Sequence, residues 1–171
     1  MPYVLTANHC LEGLDAMGDS DAGRWVFYWE YEHPGCVNGT EPVHRTSTGA
    51  VLVANNQISD FALLKINAPQ DPRTRPGVWP YYLGWDRSGN AESFGVVIHH
   101  PVGDVKKISL SSSIQNQSSS YTFGKVSFPA NSLWKIAYAS GNGTTEGGSS
   151  GSPFINSSYR VIGQLLGGGS G

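Results

Sequence analysis

Short apolar and β-branched runs alternate with polar turn clusters along the whole chain. "YVLTA" (3–7), "RWVFYWEYEH" (24–33), "GAVLVA" (49–54), "DFALLKI" (60–66) and "FGVVIHH" (94–100) are the first such runs. "YTFGKVSF" (121–128), "LWKIAYA" (133–139), "SPFIN" (152–156) and "YRVIGQLL" (159–166) follow. Each has the length and residue types of a strand, and clusters such as "NGTEP", "NNQ" and "DRSGN" read as turns between them. Only 11–19 and 85–92 have room for a helical turn. "SLSSSIQNQSSS" (109–120) reads as an exposed serine-rich loop. Short strands at this spacing predict an all-β barrel or sandwich. No repeat is visible, and a break near "GWDRSGN" (84–90) separates two groups of strands.

Composition narrows the function classes. With 39% hydrophobic and 14% charged residues among 171, the chain has enough apolar surface for a core. A net charge of −2 leaves no electrostatic footprint for nucleic acid or an anionic membrane. No apolar run approaches the ~20 residues of a membrane-spanning helix. The 22 glycines and 10 prolines suit many turns, and the low charge with abundant Gly, Ser, Asn and Thr suits an extracellular β protein. Two cysteines, Cys10 and Cys36, are too few for a disulfide scaffold.

The chemistry concentrates in "EGGSSGSPF" (146–154). Such letters make a flexible linker, or they frame a nucleophilic serine at Ser150. A serine needs a base to take its proton, and the base needs an orienting carboxylate. The five histidines lie at 9, 33, 44, 99 and 100, all before Ser150, which excludes the Ser…Asp…His order of α/β-hydrolases. An all-β pattern argues against the Asp…His…Ser order, leaving His…Asp…Ser. His9 ends an apolar strand and Asp60 begins a buried-looking one. The His99–His100 pair has no H-E-x-x-H frame and no carboxylate at ligand spacing, so it reads as structural, with no metal or other cofactor expected. The aromatic cluster Trp25, Phe27, Tyr28, Trp29 and Tyr31 reads as the two faces of one barrel strand.

"LTANHC", "SDFALLKI" and "GSSGSP" in this order resemble the chymotrypsin-fold serine peptidases. "VFYWEYEHPGC", "GWDRSGN", "VVIHHP", "KKIS", "TEGGSSGSP" and "RVIGQLLGG" resemble stretches of the secreted bacterial lysyl endopeptidase branch. The likeness covers nearly the whole chain. It implies a double antiparallel β-barrel, with a first barrel over 1–86 carrying His9 and Asp60 and a second over 87–171 carrying Ser150. It further implies His9 as general base, Asp60 as its orienting carboxylate and Ser150 as nucleophile. The Gly148 and Ser150 N–H groups are then the oxyanion hole, and Leu166 and Gly167 line the substrate site. The expected partner is a peptide or protein substrate, acted on by a secreted monomer without nucleic acid or membrane.

The resemblance also implies departures. Relatives have strands before "YVLTANHC" and sequence beyond "GQLLGG", so both barrels are expected to be incomplete. Their Cys10 and Cys36 equivalents pair with cysteines in the earlier part, which leaves here either free thiols or a Cys10–Cys36 bridge. Lysine selectivity in the branch depends partly on an acid beyond "GQLLGG", and a pocket-side histidine of the relatives is Leu166 here. Ser149 stands where chymotrypsin-like zymogens carry an aspartate that pairs with a new N-terminal amine. A serine offers no charge for that ion pair.

Overall fold

The computed structural model describes residues 2–11, 22–37, 39–40, 42, 44–90 and 92–168. Its strands in the first half are β1 (Tyr3–Ala7), β2 (Val26–Trp29), β3 (Arg45–Thr48), β4 (Ala50–Asn56) and β5 (Phe61–Ile66). After these come β6 (Gly84–Trp85), β7 (Gly95–His99), β8 (Lys107–Asn116), β9 (Tyr121–Phe123), β10 (Val126–Phe128), β11 (Trp134–Tyr138), β12 (Pro153–Asn156) and β13 (Arg160–Gln164). The only helical turns among the described residues are three-residue 3₁₀ turns. The chain is all-β.

Alternation places the first core. In β5, Ala62, Leu64 and Ile66 point inward and are fully buried, while their neighbours are partly exposed, as a half-buried strand requires. β5 is the centre of a three-stranded sheet, antiparallel to β1 on one side and to β4 on the other. Leu11, Ala22 and Ala50 complete the buried cluster, with Val4, Trp25 and Phe27 packed against it. β2 and β3 form a separate antiparallel ribbon. On one face Phe27 stacks on Trp29 and meets Trp25 at a tilt, and Tyr28 meets Tyr31 and His44 on the other. Phe27, Tyr28 and Trp29 are thus split between the two faces of β2, while Trp25 and Tyr31 flank the strand.

The second half forms a six-stranded sheet in the order β11-β8-β7-β12-β13-β6, together with the β9–β10 hairpin. Val97, Phe154 and Phe128 are among its buried residues. β6 joins this sheet by parallel pairing with β13. None of the sheets closes on itself among the described residues.

Three sequence expectations need correction. "SLSSSIQNQSSS" is not a loop: most of it lies in β8, a ten-residue strand between β7 and β11. Ser109 and Ser111 face the interior, and Ser111 Oγ accepts the Gly95 N–H at 2.7 Å. A serine hydroxyl satisfied inside a sheet gives no apolar signal in sequence. β3 was hidden for the same reason; its buried Ser47 accepts the Trp29 indole N–H at 2.9 Å and donates to the Gln70 carbonyl at 2.7 Å. The long run at 24–33 is strand only over Val26–Trp29, and Glu30 follows at φ +56°. Residues 85–90 and 92 contain no helical turn, whereas 12–19 lie outside the described residues.

Candidate active site

Antiparallel pairing of β1 with β5 sets Ala7 opposite Phe61. The residues just beyond that pair, His9 after β1 and Asp60 before β5, therefore meet. Asp60 Oδ1 accepts the His9 backbone N–H and Oδ2 accepts the His9 ring Nδ1–H, each at 2.8 Å. The Asp60 carboxylate is buried and its backbone sits at φ +49°. That uncommon conformation for a residue with a side chain is held by neighbours. The Asp60 carbonyl accepts from the Asn8 N–H at 2.9 Å and from the Gln164 side-chain amide of β13, the latter linking the two halves of the molecule. The sequence reads Gln164 as a strand residue and gives no sign of this bond.

Ser150 lies in the turn before β12. The turn is pinned from two sides. Gly147 accepts the Val102 N–H at 2.6 Å, and Gly148, at φ +89°, lies over the backbone of His100, Val102 and Gly103. Gly151 adopts φ +79°, donates its N–H to Leu165 at 2.8 Å, and abuts β1 so closely that a Cβ there would lie 2.4 Å from Thr6 Oγ1 and 2.7 Å from Ala7 N. Only glycine fits that approach. The Ser150 turn is thereby seated against the strand that carries His9. Ser150 Oγ and His9 are not joined by a hydrogen bond in this conformation.

Leu166 and Gly167 follow β13 and line a cavity of about 880 Å³ together with Trp134, Tyr138, Phe154 and Gln164. A second cavity of about 1260 Å³ runs between the halves, bounded by Thr6, Cys10, Phe27, His100 and Ser150. Phe123, which sequence reading did not single out, packs its ring 5.9 Å from that of His9 at 56°. The same ring presses on Gly167, where a Cβ would stand 2.5 Å from Phe123 Cζ. The tip of a hairpin thus reaches both the His9 and the Gly167 positions.

Cys10 and Cys36 are both free thiols, so of the two arrangements left open by the sequence the bridge is not the one formed. Burial, reinforced by the negative charge of Asp60, holds the Cys10 thiol above its ordinary pKa. His99 is buried, and its two ring nitrogens are hydrogen-bonded to Ser149 and Ser109. Among the described residues no three His, Cys, Asp or Glu side chains gather as a metal-binding group.

This all-β chain, with the Ser150 turn packed on β1 and β1 leading into the His9–Asp60 pair, has the chymotrypsin-like peptidase fold. Two solved structures share it at the level of fold. The MamO protease domain of Magnetospirillum magneticum superposes with a TM-score of 0.59 at 13% identity, over 95% of this chain and 69% of that one. Rv3671c of M. tuberculosis H37Rv, in an inactive form, gives 0.51 at 16% identity, over 99% and 66%. In sequence, residues 1–171 match the family described as lysyl endopeptidase, C-terminal domain, and the chain belongs to that family. Lysyl endopeptidase of Pseudomonas aeruginosa is 30% identical over 96% of this chain, which spans about one third of that relative's length, 33%.

Proposed function

We propose that this chain carries the catalytic centre of a serine endopeptidase, with His9 as general base, Asp60 as orienting carboxylate and Ser150 as nucleophile. The observation that supports this most is the paired grip of Asp60 on the His9 backbone and ring. A proton fixed on Nδ1 leaves Nε2 free to accept one. In the reaction, Nε2 takes the Ser150 hydroxyl proton as Oγ attacks the peptide carbonyl carbon. The tetrahedral oxyanion receives the N–H groups of Gly148 and Ser150, neither of which donates to a backbone carbonyl among the described residues. His9 then returns the proton to the departing amine, and water hydrolyses the acyl-enzyme by the same base. The His9–Ser150 hydrogen bond, unformed in this conformation, forms when substrate binds, since catalytic hydrogen bonds often reach their working geometry only in the substrate complex.

The catalytic elements divide as a first unit over 1–86 with His9 and Asp60, and a second over 87–171 with Ser150. Leu166 and Gly167 are the proposed wall of the substrate site. Its described lining includes Lys135 and no carboxylate, so a preference for lysine at P1 rests on an acid outside these residues. The composition favours an extracellular setting.

A second reading, a β-domain kept for binding, is favoured by the unformed Ser150–His9 bond and by the Phe123 ring against His9. A fluorophosphonate probe separates the two. Covalent labelling of the protein at Ser150, lost in Ser150→Ala and strongly slowed in His9→Ala, is expected of the peptidase. Labelling that is absent, or indifferent to His9, is expected of the binding domain.

A further inference from the structure

His99 is 2% exposed, Ser149 0% and Ser109 1%, and the three form one line of hydrogen bonds. His99 Nδ1 lies 2.8 Å from Ser149 Oγ, and Nε2 lies 3.0 Å from Ser109 Oγ. Ser109 Oγ is in turn 2.8 Å from the Thr144 carbonyl. The direction of every bond follows from that last contact. A carbonyl can only accept, so Ser109 gives it its single hydroxyl proton. Ser109 Oγ must then accept from His99, which puts a proton on Nε2. A neutral ring with Nε2–H has a bare Nδ1, and Ser149 donates its hydroxyl to it. The Ser149 oxygen keeps its acceptor face for the Glu146 N–H at 3.3 Å, while the Ser149 N–H donates back to the Glu146 carbonyl at 3.0 Å.

We infer that His99 is a positioning residue for the candidate catalytic centre: as the neutral Nε2–H tautomer it holds Ser149, and through Ser149 it fixes the turn that presents Ser150 and the Gly148 and Ser150 amides. The inference rests on the reading of Ser150 as nucleophile. Position is what distinguishes this histidine from an ordinary core residue. Ser149 immediately precedes Ser150, and the segment that follows His99 supports Gly147 and Gly148 through Val102 and Gly103. One element thus grips the turn at two places. An uncharged Ser–His–Ser line supplies the anchor for which a serine at 149 has no ion pair to offer.

The neutral state has a physical basis. Burial lowers the His99 pKa, the adjacent His100 lowers it further, and Glu146 opposes them. Lys107 lies across the β7–β8 pair from His99 and is ion-paired with Asp104 at 3.2 Å. Protonation at Nδ1 would turn an acceptor into a donor facing the Ser149 hydroxyl and leave a buried charge whose ring nitrogens both face serine hydroxyls.

The experiment combines ring nitrogen NMR of His99 with kinetics of Ser149→Ala, a small truncation chosen to leave the core volume nearly intact. Expected are a protonated Nε2 and bare Nδ1 in the wild-type protein, persisting below pH ~6.5, the ordinary histidine value. Ser149→Ala should retain its melting temperature within a few degrees yet lose about 10–100-fold in kcat and in fluorophosphonate labelling rate, with KM little changed, because displacement of order 1 Å costs up to ~10²-fold. His99→Gln, which keeps an amide in the cavity, should show the same kcat-weighted loss. A doubly protonated or Nδ1–H ring at neutral pH would overturn the tautomer assignment. Wild-type labelling rates in Ser149→Ala would overturn the positioning role while leaving Ser150 as nucleophile. A wild-type protein that the probe does not label overturns the catalytic reading and the positioning role with it, and the ring spectrum then reports on the hydrogen-bond line alone.

Discussion

Asp60 holds His9 at two points, its Oδ1 on the backbone N–H and its Oδ2 on the ring Nδ1–H, both at 2.8 Å. Two anchors from one buried carboxylate fix the tautomer and the ring plane together. Asp60→Asn keeps the size but can present an N–H toward Nδ1, favouring the wrong tautomer. The expected result is a fall in kcat of about 10⁴-fold on a peptide substrate, with circular dichroism unchanged. A loss under tenfold would mean that His9 is not the base.

Gly151 stands at φ +79° against the backbone of Thr6 and Ala7. Gly151→Ala forces both an unfavourable φ and a clash with backbone that has no room to yield. A destabilisation of about 1–3 kcal/mol is expected from the strain, read as a lower urea midpoint with unchanged slope. Activity should fall as well, since the same contact seats the Ser150 turn on the His9 strand.

Phe123 bridges the His9 ring and Gly167. An aromatic pair of this kind contributes about 0.5–1.5 kcal/mol beyond its burial. Phe123→Ala should lower kcat/KM by roughly 2–10-fold on that basis, whereas Phe123→Tyr should stay near wild type. If the ring instead blocks the site, Phe123→Ala will raise kcat/KM, and comparing the two variants on one substrate decides the matter.

The Cys10 thiol is pushed up in pKa by burial and by the Asp60 charge. The thiolate is the reactive form, so at a given pH Cys10 has less of it than an ordinary cysteine. Iodoacetamide should modify the exposed Cys36 first. Cys10 alkylation should lag and should rise only at more alkaline pH than an ordinary thiol. Asp60→Asn removes the charge and should speed Cys10 modification, as peptide mass analysis over a pH series would show.

Leu64 is fully buried at the centre of the β1-β5-β4 sheet. Leu64→Ala should cost about 2–5 kcal/mol through lost burial and the cavity left behind. The check is equilibrium urea unfolding, and a cost below 1 kcal/mol would mean that this core is loosely packed.

What the sequence determined by itself is local or rests on residue order. Alternating β5 and the apolar β1 were legible because a strand's period of two is written in adjacent residues. The order His9, Asp60, Ser150 and the glycines around Ser150 narrowed the chemistry, since a nucleophile turn needs backbone freedom at fixed offsets. The tertiary structure alone decided what depends on partners far away in the chain. Ser109 and Ser111 look like loop residues until β7 and the Thr144 segment satisfy their hydroxyls inside a sheet. His99 could have been any buried histidine until the fold set it against Ser149, 50 positions on. Phe123 and Gln164 were legible as strand residues but not as neighbours of the site, and they reach His9 and Asp60 only because the two halves pack together. A hydrogen bond across 104 residues leaves no periodic trace in either segment. Its existence is a property of the packing, where a buried polar group must find a partner or forfeit the free energy of its lost hydration.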